Sequence, residues 1–215
     1  MVEPSMIYPD TKMEQRNLPF HGGPRPGSGR PRGSRVSHGT RPQFRAVTPV
    51  HVTLRVKGHV WNLRSKRAWR RLRQAFEKAR GRFGGRLIEY SVQGNHLHLI
   101  VEADGSVALS RAMQGLAIRI AKALNAMMER AGRVFEDHYF SRLLRSPTEL
   151  TRAIAYVLGN HQHHFGGGGA DLYSSAALSP AERVEILSFA RGWLLNAGLR
   201  RGTSGLGGAR PAAPG

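Results

Sequence analysis

The chain has 215 residues, no cysteine, and 33 Lys and Arg against 14 Asp and Glu, a formal charge of +19. That length favours one domain with tails over two large domains, and the absence of cysteine excludes disulfides, thiolate zinc sites and cysteine nucleophiles, so any metal must be held by His, carboxylate or amide groups. The charge exceeds what solubility requires and points to a polyanionic partner; an anionic membrane surface, a ribosome-like structural role and an Arg-rich genome composition are the competing explanations.

Residues 1–46 are rich in Pro, Gly and Arg and carry no periodic apolar face, so they are expected to form a disordered basic arm. Arg25, Arg30 and Arg32 are its candidate nucleic-acid contacts. The stretch "GSGRPRGSR" resembles an AT-hook, in which an extended segment lays arginines along a narrow A·T-rich minor groove; a solvated linker that meets phosphate only nonspecifically is the other reading. No apolar run approaches a membrane span, and "MVEPSMIYPDTKMEQRN" lacks the order of a secretory signal, so the expectation is a soluble cytoplasmic protein without a membrane partner.

From residue 47 the periodicity becomes orderly. "TPVHVTLRVKG" alternates Val50, Val52, Leu54 and Val56 against His51, Thr53 and Arg55, which predicts a strand with one buried face. Over 64–82 the spacing of Trp69, Leu72, Phe76, Ala79 and Phe83 predicts a helix whose other faces carry Arg64, Lys66, Arg67, Arg70, Arg71, Arg73 and Lys78. Residues 57–86 hold eleven basic residues and one acidic, so this segment supplies ten of the nineteen excess charges. A face so one-signed makes Arg67, Arg70 and Arg71 candidate nucleic-acid contacts. Trp61, Trp69 and Phe83 are possible stacking partners, Trp69 fitting the core better.

"RLIEYSVQ" and "HLHLIVE" read as two strands joined at Gly94-Asn95. Leu109, Met113, Leu116, Ile120, Leu124 and Met127 predict a long helix that Gly132 ends, and "RVFEDHYFSRLLR" a strand. Ser146, Pro147 and Glu149 predict a capping box opening a helix to about 164, and Ser179, Pro180 and Glu182 open a last helix running through "SPAERVEILSFARGWLL". "FGGGGADL" between them reads as a flexible link. The order strand, helix, strand, strand, helix, strand predicts an α+β fold: a ferredoxin-like antiparallel sheet (βαββαβ), both crossover helices on one face, with an added helix. The expected divisions are the arm, a domain over 47–165, a linker and C-terminal helix over 166–198, and a disordered tail over 199–215.

In "GNHLHLIVE" His96 and His98 share a strand face with Ile100, while Leu97, Leu99 and Val101 occupy the other. If the leucine face meets the helices, the two histidines lie on the open face of the sheet. His-Leu-His alone fits a hydrogen-bonded pair in a half-buried strand as well as a ligand pair, because a metal site needs a further ligand. On the helix that starts at Ser146, the stripe of Leu150, Ala153, Ile154, Val157 and Leu158 leaves Tyr156 pointing away, with Asn160 one turn on and Arg152 one turn before.

"GNHLHLIVE", followed some fifty residues later by "SPTELTRAIAYVLGN", resembles the HUH single-strand DNA transposases and, within them, the REP-associated tyrosine transposases. The resemblance covers about residues 47–165. It implies that His96 and His98 bind a metal, that Asn160 completes the site and that Tyr156 is the nucleophile; Arg152, one turn before Tyr156 on the helix, is a further candidate nucleic-acid contact. It implies Mg²⁺ or Mn²⁺, single-stranded or hairpin DNA as partner, a 5′-phosphotyrosine intermediate, and a monomer or homodimer. Imidazoles and an amide hold these ions weakly, which suits a site that phosphate oxygens complete. "HQHH" at 161–164 departs from the Asn-Pro that often ends this helix.

Two other readings use the same residues. A catalytically inert nucleic-acid-binding module of the same fold would place Phe or Tyr on its central strands, where this chain has His96 and His98. A His-rich metal-binding or structural protein would leave the +19 charge without a role.

Overall fold

A computed structural model describes residues 43–165 and 169–200, with the backbone alone for 161–165. Arg25, Arg30 and Arg32 lie outside the described residues. Strand β1 (Thr48–Arg55), helix α1 (Lys66–Ala79), strands β2 (Gly85–Val92) and β3 (His96–Ala103), helix α2 (Ser106–Met127) and strand β4 (Phe140–Leu143) form the expected βαββαβ series. The sheet is antiparallel in the order β2-β3-β1-β4, the ferredoxin-like arrangement. Helix α3 (Pro147–Phe165), a 3₁₀ turn (Ser175–Ala177), helix α4 (Pro180–Ile186) and a π-helical turn (Leu194–Gly198) follow. Among the described residues no helix is long and apolar enough to cross a membrane.

The alternation in β1 and β3 divides the molecule into two layers of packing. Val50, Val52 and Leu54 with Leu97, Leu99 and Val101 face α1 and α2, where they bury Ala68, Leu72, Phe76, Leu109, Met113 and Ile120 in one core. Helix α1 starts where Ser65 Oγ accepts the Ala68 N–H at 3.3 Å. The β2–β3 turn is tight, as Gly94-Asn95 predicts: the Gln93 N–H donates to the His96 carbonyl at 2.8 Å.

The opposite face of the sheet is not open. Ile100 is fully buried in a second apolar cluster with Leu144, Leu150, Val157 and Leu195. The stripe on α3 has to be buried somewhere, and the face carrying His96, His98 and Ile100 is where it goes, joined by the π-helical turn. Two other elements differ from expectation. The strand expected over 133–145 is interrupted: Phe135 bridges Val56 and Phe140–Leu143 pairs with β1, while bends at 136–138 put the Tyr139 ring into the core. The expected last helix ends at Ile186, and the chain then runs through irregular residues 187–191 before the π-helical turn.

The N-terminus of α3 is capped from both sides of Ser146. Ser146 Oγ accepts the Glu149 N–H at 3.2 Å, but the Glu149 carboxylate takes the N–H of Arg145 at 2.8 Å, one residue earlier than a capping box has it. The box at Ser179 and Glu182 is complete.

Residues 169–192 strap the sheet rather than dangle from it. Asp171 is buried in a bidentate pair with Arg64 at 2.7 and 2.8 Å, and the Val92 N–H donates to the Tyr173 carbonyl along the outer edge of β2. Helix α4 then meets α1 through Arg73 and Glu182 at 2.6 Å. That guanidinium, with the Ser179 N–H, holds the Glu182 carboxyl down at about 2, against an ordinary 4.5. The unfolded chain therefore takes up this proton first, and the clamp's contribution, complete above about pH 4.5, is lost as the pH falls toward 2. The difference in urea midpoint between the native chain and Glu182→Gln should accordingly shrink over that window.

Candidate active site

Antiparallel register brings a third histidine to the pair. Residues directly opposite on neighbouring strands share a face, and β1 aligns Arg55 with His96, Thr53 with His98 and His51 with Ile100. His98 Nδ1 lies 3.2 Å from His51 Nε2 and 3.3 Å from Thr53 Oγ1. His96 Nδ1 lies 2.8 Å from Asn95 Oδ1. The Nε2 atoms of His96 and His98 converge to 3.0 Å, their rings perpendicular.

Helix α3 crosses this face and lays Tyr156 on the histidines. Its ring stands edge-on to His98 with centroids 5.3 Å apart and to His51 at 5.9 Å, while 47 % of the residue stays exposed. One turn on, Asn160 is 2 % exposed, and its Oδ1 has no hydrogen-bond partner among the described residues. A buried amide oxygen left without a donor costs about 1–3 kcal/mol, and a further group that it could bind would offset that cost.

A cation fits this donor set. With the Nδ1 protons of both histidines given to Asn95, His51 or Thr53, two Nε2 lone pairs face each other at a separation typical of two ligands of one ion. Among the described residues no group of three or more His, Cys, Asp or Glu side chains forms a metal cage, so the converging donors are the two imidazoles, with the buried Asn160 amide, one turn beyond Tyr156, the candidate third. Burial, and then the charge of Arg142, push the His51 imidazole below its ordinary value, which keeps it neutral and able to accept a hydrogen bond.

The basic residues separate by layer. Arg152 is exposed on α3, one turn before Tyr156. Arg67, Arg70 and Arg71 lie on α1, in the layer behind the sheet, and do not line the site. Arg67 instead covers the exposed Trp61 ring at 5.2 Å. Arg142, aligned with His51 across β1 and β4, and Arg55, aligned with His96, rim the site. His51, Thr53 and Arg142 are not among the site residues that the sequence singles out. The alternation in β1 places the first two on the polar face; only the register of β1 against β3 sets that face beside His98.

The family model described as "Transposase IS200 like" matches residues 47–158, which is 112 of 215 residues and runs from just before β1 to just past Tyr156. An antiparallel ferredoxin-like sheet with a paired-histidine strand and a tyrosine-bearing helix across it is thus a transposase-type domain. The chain belongs to the IS200-like transposase family. Among solved structures, a REP-associated tyrosine transposase bound to a REP hairpin is similar with a TM-score of 0.52 and 14 % identity, over 61 % of this chain and 76 % of that one, a likeness of fold. A protein assigned as a transposase from Deinococcus radiodurans gives a TM-score of 0.39 at 13 % identity, over 55 % of this chain and 92 % of that one. No curated protein matches the chain.

Proposed function

We propose that the chain cleaves and rejoins single-stranded DNA in a metal-dependent reaction through a 5′-phosphotyrosine. The observation that carries this reading is the Tyr156 ring set edge-on, 5.3 Å between centroids, against a histidine whose Nε2 converges with a second. Tyr156 Oη attacks phosphorus in line and gives up its proton, the bond from phosphorus to the 3′-oxygen breaks, and that oxygen leaves as a 3′-hydroxyl. Attack by the 3′-hydroxyl of another strand reverses the step, and because one phosphodiester-like bond replaces another, rejoining needs no ATP.

His96, His98 and Asn160 would hold Mg²⁺ or Mn²⁺, which when bound polarises the scissile phosphate. The protein's own contribution is positional. Tyr156, His96 and His98 belong to one chain and their rings already adjoin, so a monomer acting on its own histidines suffices. Arg152 and Arg142 would hold phosphates flanking the cleaved bond, and Arg67, Arg70 and Arg71, behind the sheet, a separate length of DNA such as a hairpin stem.

The test is to incubate the chain with a hairpin oligonucleotide and Mn²⁺, digest the covalent product and locate the nucleotide-bearing peptide. An adduct on Tyr156 that EDTA prevents is expected; an adduct on another residue, or cleavage indifferent to EDTA, overturns the reading. The arm makes a separate contribution. Deleting residues 1–46 removes eight basic and three acidic residues, among them Arg25, Arg30 and Arg32. If the arm engages DNA fully, the slope of log affinity against log salt should flatten by about 0.7 for each phosphate that the arm no longer neutralises. An unchanged slope would make it a linker.

A further inference from the structure

We infer that His51 is a positioning residue for this site: it accepts the Nδ1 proton of His98 and so fixes the tautomer that directs the Nε2 lone pair of His98 toward His96. The inference rests on the reading of His96 and His98 as the ligand pair and assigns a task to a residue on a different strand.

A neutral imidazole carries one proton, and the partner of one nitrogen decides the state of the other. His98 has two possible tautomers. With the proton on Nε2, it would point at His96 Nε2, 3.0 Å away, fill the space between the rings and remove His98 as a donor to any cation. With the proton on Nδ1, it has two acceptors in reach, His51 Nε2 at 3.2 Å and Thr53 Oγ1 at 3.3 Å. The second arrangement is the one in which His98 can act as a ligand, and it requires His51 to present an unprotonated Nε2. The two histidines are therefore linked in tautomer: a proton on His51 Nε2 forces His98 into the blocked state.

His51 is placed to hold this relation because its ring cannot easily turn away. It packs against His98 with centroids 5.3 Å apart and meets the Tyr156 ring edge-on at 5.9 Å. One side chain thus touches both the ligand and the tyrosine. Partners that orient a ligating imidazole typically change metal affinity about 10–100-fold when removed.

The full chain, metal-free and labelled with ¹⁵N in its histidine rings, reports the tautomer directly. The expected spectrum shows the His98 proton on Nδ1; a proton on Nε2 overturns the inference, and this result needs no variant. In His51→Leu the His98 tautomer should shift toward Nε2–H and Mn²⁺ affinity, followed by titration, should weaken about 10–100-fold, with His51→Gln, whose amide oxygen can accept, recovering most of it. Native tautomer and native affinity in His51→Leu would also overturn it. A failure of the underlying reading looks different: Mn²⁺ binding would then be the same in His96→Ala as in the native chain, whatever the His98 spectrum shows.

Discussion

Tyr156→Phe is expected to reduce cleavage of a hairpin oligonucleotide by roughly four orders of magnitude or more and to abolish the covalent adduct, as removal of a nucleophile does. Binding and folding should be nearly untouched. Tyr156 is 47 % exposed, and phenylalanine keeps the ring that stands against His98 and His51, so stability should stay within about 0.5 kcal/mol. The other described tyrosines are poor substitutes. Tyr90 is fully buried, with its hydroxyl pushed above the usual range by burial, Tyr139 is buried in the core, and Tyr173 packs under Arg64 against Trp69. A denaturing gel and a binding titration on the same oligonucleotide separate the two effects. Adduct persisting in the variant would move the nucleophile elsewhere.

Glu102→Ala should be the most costly single substitution outside the apolar core. Glu102 is wholly buried on the site face of β3 and accepts three hydrogen bonds: from Arg86 Nε at 2.7 Å and from the backbone N–H groups of Arg191 and Gly192, each at 2.8 Å. Removing the carboxylate strands a buried guanidinium whose remaining partner among the described residues is Asp104, at 2.5 Å, and takes the acceptor from two amides. Breaking a buried pair from one side costs about 3–5 kcal/mol, and the remaining Asp104 pairing places this case near the lower figure. Urea unfolding measures the loss. Limited proteolysis should cut first near residues 189–192 in the variant, because Glu102 holds the N–H groups of Arg191 and Gly192 whereas Ser188 keeps its bond to Leu87. With that segment goes Leu195, and with Leu195 part of the packing that seats α3 and Tyr156.

Much of this arrangement is legible in the residues because local periodicity encodes it. The alternation in β1 and β3 separates core from polar face without knowledge of the partner strand, and the stripe on α3 leaves Tyr156 outward. Proline and serine mark the starts of α3 and α4. What is not legible depends on packing between distant segments. His51 looks like any polar alternation until β1 and β3 are in register. Ile100 beside His98, and the apolar stripe on α3, are two halves of one interface, yet nothing local says that they meet, so the face reads as open. The helix expected past Ile186 fails for a similar reason: backbone N–H groups of Arg191 and Gly192 that a helix would use internally go to Glu102. A Cβ at Gly192 would stand 2.8 Å from the Glu102 carboxylate, which is why a residue without one is needed there.

The strap along β2 also bears on how copies of this chain can associate. An edge strand with unpaired amides and carbonyls invites another chain to add a strand of its own. Here the outer side of β2 is occupied near one end by Tyr173 and Ser174 and near the other by Ser188, whose N–H donates to the Leu87 carbonyl. The opposite border of the sheet is β4, only four residues long, with the charge of Arg142 within it and that of Arg145 just after it. Two copies therefore cannot fuse their sheets through β2 without first peeling off residues 171–188. Where newly made copies crowd together, this protects the protein from the cross-chain sheet growth that leads to aggregates.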